Sequence, residues 1–150
     1  MKVLGFNLSK GEIRYSLLTG SKKNPTLIEK ERLIVSVTPN VSELMNWFET
    51  TFGSIINQTK PNKVAYRLSL EPNKKQIFYL MYPYGVLELL CFKKNIEISS
   101  CVKRNFVPTK FDLSKGLNIY KHCDEIFGIN KPYWDESQKH SLLSAWLNLE

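Results

Sequence analysis

The order of apolar and turn-forming segments constrains the fold of this chain more than any single motif does. Residues 2–8 and 12–19 are apolar enough for strands, and Lys10 and Gly11 supply a turn between them, which predicts an antiparallel hairpin. Residues 26–37 predict a third strand. Helix-like and strand-like segments alternate after it, and strands separated by helices are typical of parallel crossovers. The sequence therefore predicts a single α/β domain with a mixed sheet.

The first predicted helix follows a break in the chain at Pro39 and Asn40, and Ser42 is its predicted N-cap. Its apolar residues recur at helical spacing and predict one stripe that faces the sheet: Leu44, Trp47, Phe48, Ile55 and Ile56. Later segments predict a fourth strand, a second helix, a fifth strand, a third helix and a last helix: 63–70, 73–95, 96–102, 113–128 and 135–149. Pro83 and Gly85 are expected to kink the second helix or delay its start.

The size and composition of the chain predict one globular domain. Its 150 residues, of which 43% are hydrophobic, suffice to bury a core. No apolar run approaches the roughly 18–20 residues that cross a bilayer. The N-terminal segment lacks the basic, apolar and small-residue series of a signal peptide, so we expect a cytoplasmic protein. Three widely spaced cysteines, Cys91, Cys101 and Cys123, fit neither a disulfide framework nor a zinc site, so we expect free, buried thiols.

The positive charge of the chain is concentrated in its central and later part. The net charge is +7 and the pI is about 9.3. Residues 61–131 hold twelve Lys and Arg against six Asp and Glu, whereas the last nineteen residues hold one Lys against three acids. A localised basic excess is compatible with a polyanionic partner such as nucleic acid. A basic pI is also common in small proteins that bind no polyanion, so charge alone leaves the partner open.

Four stretches together resemble one known family: VLGFNLSKGEIRYSLL, NKVAYRLSLE, YGVLELLCFKKNIEISSCVKRN and HSLLSAWLNL. In this order they are similar to the first hairpin, the fourth strand, the second helix with the fifth strand, and the final helix of the ribonuclease H-like superfamily. The nearest likeness is to its RuvC-type branch, the Holliday-junction resolvases. The resemblance covers nearly the whole chain. It implies one domain over residues 1–150, with a five-stranded mixed sheet in the order 3-2-1-4-5 flanked by helices.

The family's chemistry, as the resemblance implies, depends on carboxylates that converge on two divalent cations, which activate water and stabilise the leaving oxygen. The first-strand Asp of the family falls on Asn7, the fourth-strand Glu falls on or next to Arg67, and the last-helix Asp falls on His140. An amide offers one neutral oxygen, a guanidinium repels a cation, and imidazole is a poor magnesium ligand. The resemblance therefore implies a site that has lost its acids, with no catalytic residue and no metal or other cofactor.

Two functional interpretations of this region remain open beside a purely structural one. Glu12, Glu71 and Glu136 lie near the matched positions in the sequence and are the fallback acids for a nuclease that uses Mg²⁺ or Mn²⁺. In the other interpretation, the amide, guanidinium and imidazole of Asn7, Arg67 and His140 suit an anion such as a phosphate. All three residues can also be ordinary structural residues at a strand end, a helix start and in the core.

The remaining candidates for nucleic-acid contact are basic and aromatic. Arg67, Lys103, Arg104 and Lys110 are expected to contact phosphates, which gives affinity without sequence preference. Tyr79, Tyr82 and Tyr84 either stack on bases or pack within the protein. Nucleotide-binding glycine loops and a nucleophile elbow are absent from the sequence.

Three functions follow from these observations. The leading one is a non-catalytic RuvC-like module that binds nucleic acid or a protein partner. The second is a divalent-metal nuclease with relocated carboxylates. The third is a protein-interaction module that docks through the surface around Tyr79–Tyr84 or through the last helix, without contact to nucleic acid.

Overall fold

The fold is a five-stranded sheet with helices on both faces. A computed structural model describes residues 1–9, 11–36, 38–69, 73 and 76–150. The strands are β1 (Lys2–Ser9), β2 (Glu12–Gly20), β3 (Pro25–Ile34), β4 (Lys63–Arg67) and β5 (Glu97–Cys101). The helices are α1 (Val41–Thr59), α2 (Ile77–Leu80), α3 (Tyr82–Lys94), α4 (Ile119–Phe127) and α5 (Glu136–Leu147). Two 3₁₀ turns, Lys103–Asn105 and Pro108–Phe111, lie between β5 and α4.

The strand order confirms the topology that the sequence predicts. The sheet has the order β3-β2-β1-β4-β5. β1, β2 and β3 form an antiparallel meander, while β4 pairs in parallel with both β1 and β5. The carboxyl ends of β1, β4 and β5 therefore meet at one edge of the sheet, which is where open α/β sheets present their ligand sites.

Two hydrophobic clusters separate the sheet from its helical layers. Leu4, Phe6 and Leu8 of β1 point to the face that α1 and α3 cover, whereas Val3 points to the face that α5 covers. The predicted stripe of α1 is confirmed in large part, because Leu44, Phe48, Ile55 and Ile56 are buried and Trp47 is partly buried. Phe52, which the predicted stripe omits, is fully buried as well.

α5 lies close against the middle of the sheet and is buried around most of its circumference. Residues 140–146 are all buried. Phe106 stacks on His140 and Phe111 packs on Trp146, so the 3₁₀ segments cover the side of the helix that faces away from the sheet. This burial leaves little of the last helix exposed for the protein partner that the sequence interpretation considered.

Several predicted boundaries are wrong by a few residues. The N-cap of α1 is Asn40 and not Ser42, because the Asn40 side chain accepts a hydrogen bond from the backbone N–H of Glu43 at 3.2 Å. The third helix begins at Ile119 and not at residue 113, because Gly116 has a φ of +93° and Asn118 caps the helix.

Other boundaries differ at strand ends and at the predicted kink. β3 ends at Ile34 and β4 ends at Arg67, while the predicted ends at Val37 and Leu70 lie outside the described residues. The second helix is divided at Met81, two residues before Pro83, in agreement with the predicted interruption.

Two further expectations from the sequence concern the cysteines and membrane-spanning segments. Cys91, Cys101 and Cys123 are free and buried. Within the part of the chain that the structure describes, no helix combines the length and the apolar composition that crossing a membrane requires.

Gly5 permits the close approach of α5, and this predicts a large effect of adding one methyl group. A Cβ atom at this position would overlap the backbone oxygen of Ser141 and lie 2.7 Å from the backbone nitrogen of Ala145. Because both atoms belong to the helix backbone, Gly5→Ala should lower the free energy of unfolding by about 2–3 kcal/mol, as overpacking does. Urea unfolding measures the change.

Gly85→Ala is the matched control. Gly85 lies inside α3, and a methyl group added to it would meet no neighbouring group of the described residues within 4 Å. The same substitution there should raise the free energy of unfolding by about 0.5–1 kcal/mol, because glycine is a poor helix former. Equal effects of the two substitutions would show that the close approach of α5 to Gly5 does not cause the loss of stability in Gly5→Ala.

Candidate functional site

One row of side chains crosses the sheet at the carboxyl end of its parallel strands. Arg32 of β3 pairs with Arg14 of β2, Arg14 pairs with Asn7 of β1, and Asn7 pairs with Arg67 of β4. We call these four residues the arginine row. Their side chains lie on the α5 face of the sheet. There, Arg14 contacts Asp135 and Asn7 contacts Ser137.

Asn7 and Arg67 form the centre of the row. The Asn7 side chain is 1% exposed, so its amide must be fully hydrogen-bonded. Its Oδ1 accepts from Nε of Arg67 at 2.7 Å, and its Nδ2 donates to Oγ of Ser137 on α5 at 2.9 Å. Among the described residues, Arg67 forms no salt bridge, and its two terminal nitrogens have no hydrogen-bond partner. Within the described part of the chain, its outer edge is therefore open to a ligand.

A buried tyrosine fixes the backbone on both sides of this pair. The hydroxyl of Tyr84 accepts from the backbone N–H of Leu8 at 2.9 Å and donates to the carbonyl of Arg67 at 2.8 Å. The hydroxyl thereby bridges β1 and β4 just beyond the Asn7–Arg67 pair. Burial raises the pKa of Tyr84, so the phenol stays neutral and retains the proton that it donates.

His140 is a neutral neighbour of the same centre. Its Nε2 lies 3.1 Å from the hydroxyl of Tyr120 and 3.4 Å from a carboxylate oxygen of Glu136. Burial is the main cause that lowers the pKa of His140 to about 4, and the positive charges of Arg67 and Lys103 contribute to this shift against the opposing effect of Glu136 and Asp135. Burial also raises the pKa of Tyr120 to about 12. At neutral pH the imidazole and the phenol are both uncharged.

The acids on the β2 and β3 side of the row are engaged by arginines. Glu12 accepts from Nε of Arg14 and from Nε of Arg32, both at 2.9 Å. The hydrogen bond from Arg32 is the main cause of a lowered pKa of Glu12. Arg14 is 3% exposed and also donates to both carboxylate oxygens of Asp135, at 3.1 and 2.9 Å. Tyr133 lies over the Arg32 guanidinium at 4.5 Å.

The acid on the α5 side is engaged by a lysine. Glu136 accepts from Nζ of Lys103 at 2.8 Å, and this contact is the main cause of a lowered pKa of Glu136. Glu71 lies outside the described residues. Among the residues that the structure describes, no group of three or more His, Cys, Asp or Glu side chains is arranged to hold a metal ion.

Comparison with known proteins gives similarity at the level of structure. No family model matches the chain, and no curated protein matches its sequence. Thermus thermophilus RuvC in complex with a Holliday junction substrate superposes with a TM-score of 0.77 at 10% identity, over 98% of this chain and 92% of that chain. The chain has the RuvC-like ribonuclease H fold. The yeast mitochondrial Holliday junction resolvase Ydc2 gives a TM-score of 0.66 at 9% identity, over 97% and 76% of the two chains. The fowlpox virus Holliday junction resolvase gives 0.55 at 14% identity, over 98% and 93%.

Within the RuvC-like fold, the structure brings some of the predicted residues together. Asn7 and Arg67 are in contact, and the charge of Arg67 contributes to the lowered pKa values of His140 and Glu136. Lys103 reaches the same group through Glu136.

Two predicted phosphate contacts lie outside this group. Arg104 and Lys110 are exposed on the two 3₁₀ turns that follow β5.

The three tyrosines predicted either to stack on bases or to pack are not equivalent. Tyr84 is 3% exposed and stacks on Tyr66 with ring centroids 4.2 Å apart, so its role is packing. Tyr79 is partly buried against the core. Tyr82 is 49% exposed and contacts Phe78 edge-on. Of the three, Tyr82 alone keeps an open ring surface.

The sequence interpretation missed Arg14 and Ser137, and it named Tyr84 without its hydrogen bonds to β1 and β4. Arg14 alternates with Glu12 and Ser16 along a strand, and this period of two could have placed it beside Asn7 on the α5 face. Nothing in the sequence indicates that Tyr84 reaches back to the end of β1, because that contact spans 76 residues.

The neutral state of His140 predicts a pH dependence of stability. The unfolded chain binds a proton at this residue below its ordinary pKa of 6.5, whereas the folded protein binds it only near pH 4. The free energy of unfolding should therefore fall as the pH drops from 7.5 to 4.5, by about 2–3 kcal/mol from this residue. Urea unfolding at a series of pH values measures this change. The free energy of unfolding should fall by about this amount more in the wild type than in His140→Gln.

A direct titration of the imidazole is the second measurement. NMR of the folded wild type should show the His140 ring titrating near pH 4, with the His122→Gln variant used for assignment. A titration midpoint of the His140 ring near pH 6.5 would show that the imidazole is neither buried nor close to positive charges.

Proposed function

We propose that this chain is a RuvC-like domain that binds nucleic acid through its phosphate backbone and does not use carboxylate-held metal ions for cleavage. The observation that carries the proposal is the Asn7–Arg67 hydrogen bond at the ends of the two central parallel strands. An amide and a guanidinium stand where the resemblance places two carboxylates.

The position of the pair supports a ligand site. The carboxyl ends of β1, β4 and β5 meet here, and ligands of open α/β sheets bind outside the carboxyl ends of strands. The Thermus thermophilus RuvC of similar fold was solved with a Holliday junction substrate. A branched DNA is therefore the first probe for this chain.

The charge of the surrounding surface supports a polyanion as the ligand. Lys103, Arg104 and Lys110 are exposed on the segment that follows β5, on the side of the sheet where Arg67 ends β4. Exposed lysine and arginine side chains bind phosphates without reading sequence, and their contribution weakens steeply as salt rises.

The metal-nuclease alternative requires carboxylates that are already in ion pairs. Glu12 is held by two arginines, and Glu136 forms an exposed and therefore weaker pair with Lys103. A cation entering this region would have to displace these contacts and would meet the positive charge of Arg67. Glu71 is the remaining fallback acid, and the cleavage experiment below includes it.

Binding to DNA should depend on the basic segment after β5. We expect the wild type to bind a four-way junction at low salt, with affinity that falls as salt rises. Lys103→Glu combined with Arg104→Glu should weaken binding by about 100-fold or more and reduce the salt slope by about two, since two phosphate contacts are lost. Fluorescence anisotropy over a salt series measures both quantities.

Lys93→Glu combined with Lys94→Glu is the matched control. These lysines are adjacent and exposed, but they end α3 just before β5 begins, at the opposite edge of the sheet. The same change in charge there should alter the affinity far less. Equal losses in both double variants would indicate that net charge alone drives binding, and no binding by the wild type at any salt would contradict the proposal.

Restoring one carboxylate should not restore cleavage. In Asn7→Asp, the new acid would face Nε of Arg67 and form an ion pair with it, so its charge would be neutralised before a cation could bind. Neither the wild type nor Asn7→Asp should cut a junction, an RNA–DNA hybrid or single-stranded DNA in Mg²⁺ or Mn²⁺. Gel assays with labelled substrates test this. Metal-dependent cleavage by the wild type that is lost in Glu71→Gln or Glu136→Gln would establish the nuclease alternative instead.

A further inference from the structure

We propose that the outer edge of the Arg67 guanidinium is the seat of a single phosphate group, so that one phosphate of the ligand is held directly at the ends of β1 and β4. This inference rests on the proposed function and assigns the ligand subsite within it. The phosphate is either an internal phosphodiester or a terminal phosphomonoester, since both present oxygens that a guanidinium binds in the same way.

The guanidinium is positioned before any ligand arrives. Nε of Arg67 is held at 2.7 Å by the buried amide of Asn7, and the amide itself is held by Ser137. The Arg67 carbonyl is fixed by the hydroxyl of Tyr84. An arginine anchored at Nε presents its two terminal nitrogens as a fork, which is the geometry that binds two oxygens of one phosphate. Little conformational freedom remains to be lost on binding.

The other two arginines of the arginine row show what is distinctive about Arg67. Arg14 is neutralised by Glu12 and Asp135, and Arg32 by Glu12. Within residues 1–9, 11–36, 38–69, 73 and 76–150, no carboxylate lies within ion-pair distance of Arg67. A partly buried charge that no described carboxylate neutralises is unfavourable, and an anion at this place removes that cost.

The groups around the fork suit an anion. The imidazole of His140 and the phenol of Tyr120 are neutral, so they add no negative charge that would repel a phosphate. Lys103 is paired with Glu136, but both side chains are more than half exposed, and such pairs are weak. The lysine can therefore turn toward a phosphate at Arg67 at small cost.

The first measurement uses inorganic phosphate as the probe on the full chain. NMR should show the Nε–H signal of Arg67 and the ring signals of His140 shifting together as phosphate is added. A bound anion should also move the titration midpoint of His140 upward. In Arg67→Gln the His140 ring should no longer respond to phosphate, and in Arg67→Lys it should respond more weakly, because lysine retains the charge but not the fork. Arg32→Gln is the matched control, because it removes an arginine of the same row whose charge is already neutralised.

The second measurement uses anisotropy with a short single-stranded DNA, with and without a 5′-phosphate. Arg67→Gln should weaken binding by about 10-fold or more, as loss of a charge-assisted bidentate contact does, while Arg32→Gln should change it less than twofold. If the 5′-phosphate strengthens binding in the wild type and not in Arg67→Gln, the seat takes a terminal phosphate. If Arg67→Gln weakens both DNAs equally, the seat takes an internal one.

The outcomes separate this inference from the proposed function. A normal response of the His140 ring to phosphate and normal DNA binding in Arg67→Gln, with DNA binding still lost in the Lys103, Arg104 double variant, would contradict the phosphate seat but not the proposed function. If phosphate shifts the NMR signal of Arg67 but the wild type binds no DNA at any salt, the proposed function is contradicted and the phosphate seat is not. A wild type that ignores phosphate, together with a Glu71→Gln variant that responds, would show that Glu71 is the counter-ion of Arg67 and would overturn the seat in the native protein.

Discussion

The contact between α5 and the middle of β1 determines the geometry at the strand ends. Because Gly5 has no side chain, the backbone of α5 lies against the sheet at Ser141 and Ala145. The start of the same helix is thereby brought over the carboxyl end of β1, where Ser137 meets Asn7. In such a close contact, buried hydroxyls and amides satisfy one another, and among the described residues no buried side-chain nitrogen or oxygen lacks a partner. The polar centre is therefore a consequence of close packing as much as of its charged residues.

The charges at this edge are arranged so that positive groups accumulate where the resemblance would place cations. Carboxylates are present, but each described one in the centre faces a basic side chain that lowers its pKa or pairs with it, as Glu12 and Glu136 do. In our proposal, a RuvC-like scaffold keeps its topology while the electrostatic preference of its site is reversed, because strand order and helix packing depend on apolar residues on the two faces of the sheet. This separation explains how the fold stays recognisable at 10% identity.

The fold could be predicted from the sequence because its signals are local or periodic. The hairpin of residues 2–20, the apolar stripe of α1 and the alternation of helices and strands each follow from spacing, and the resemblance gave the strand order. The end of β3 and the start of α4 were missed, since they depend on tertiary context and on capping by Asn118. In the site, Asn7 and Arg67 could be paired because strand register follows from the fold. The roles of Arg14 and Tyr84 could not, because their partners lie 121 and 76 residues away.

The hydrogen bond between Asn7 and Ser137 joins residues separated by 130 positions. During synthesis the first hairpin leaves the ribosome before α5 exists, so the α5 face of the emerging sheet stays uncovered until that helix has been made. Until then Arg14 lacks Asp135, and the amide of Asn7 is exposed to water. The nascent chain acquires the finished centre only when α5 docks, which makes this docking a step exposed to chaperones and to premature aggregation.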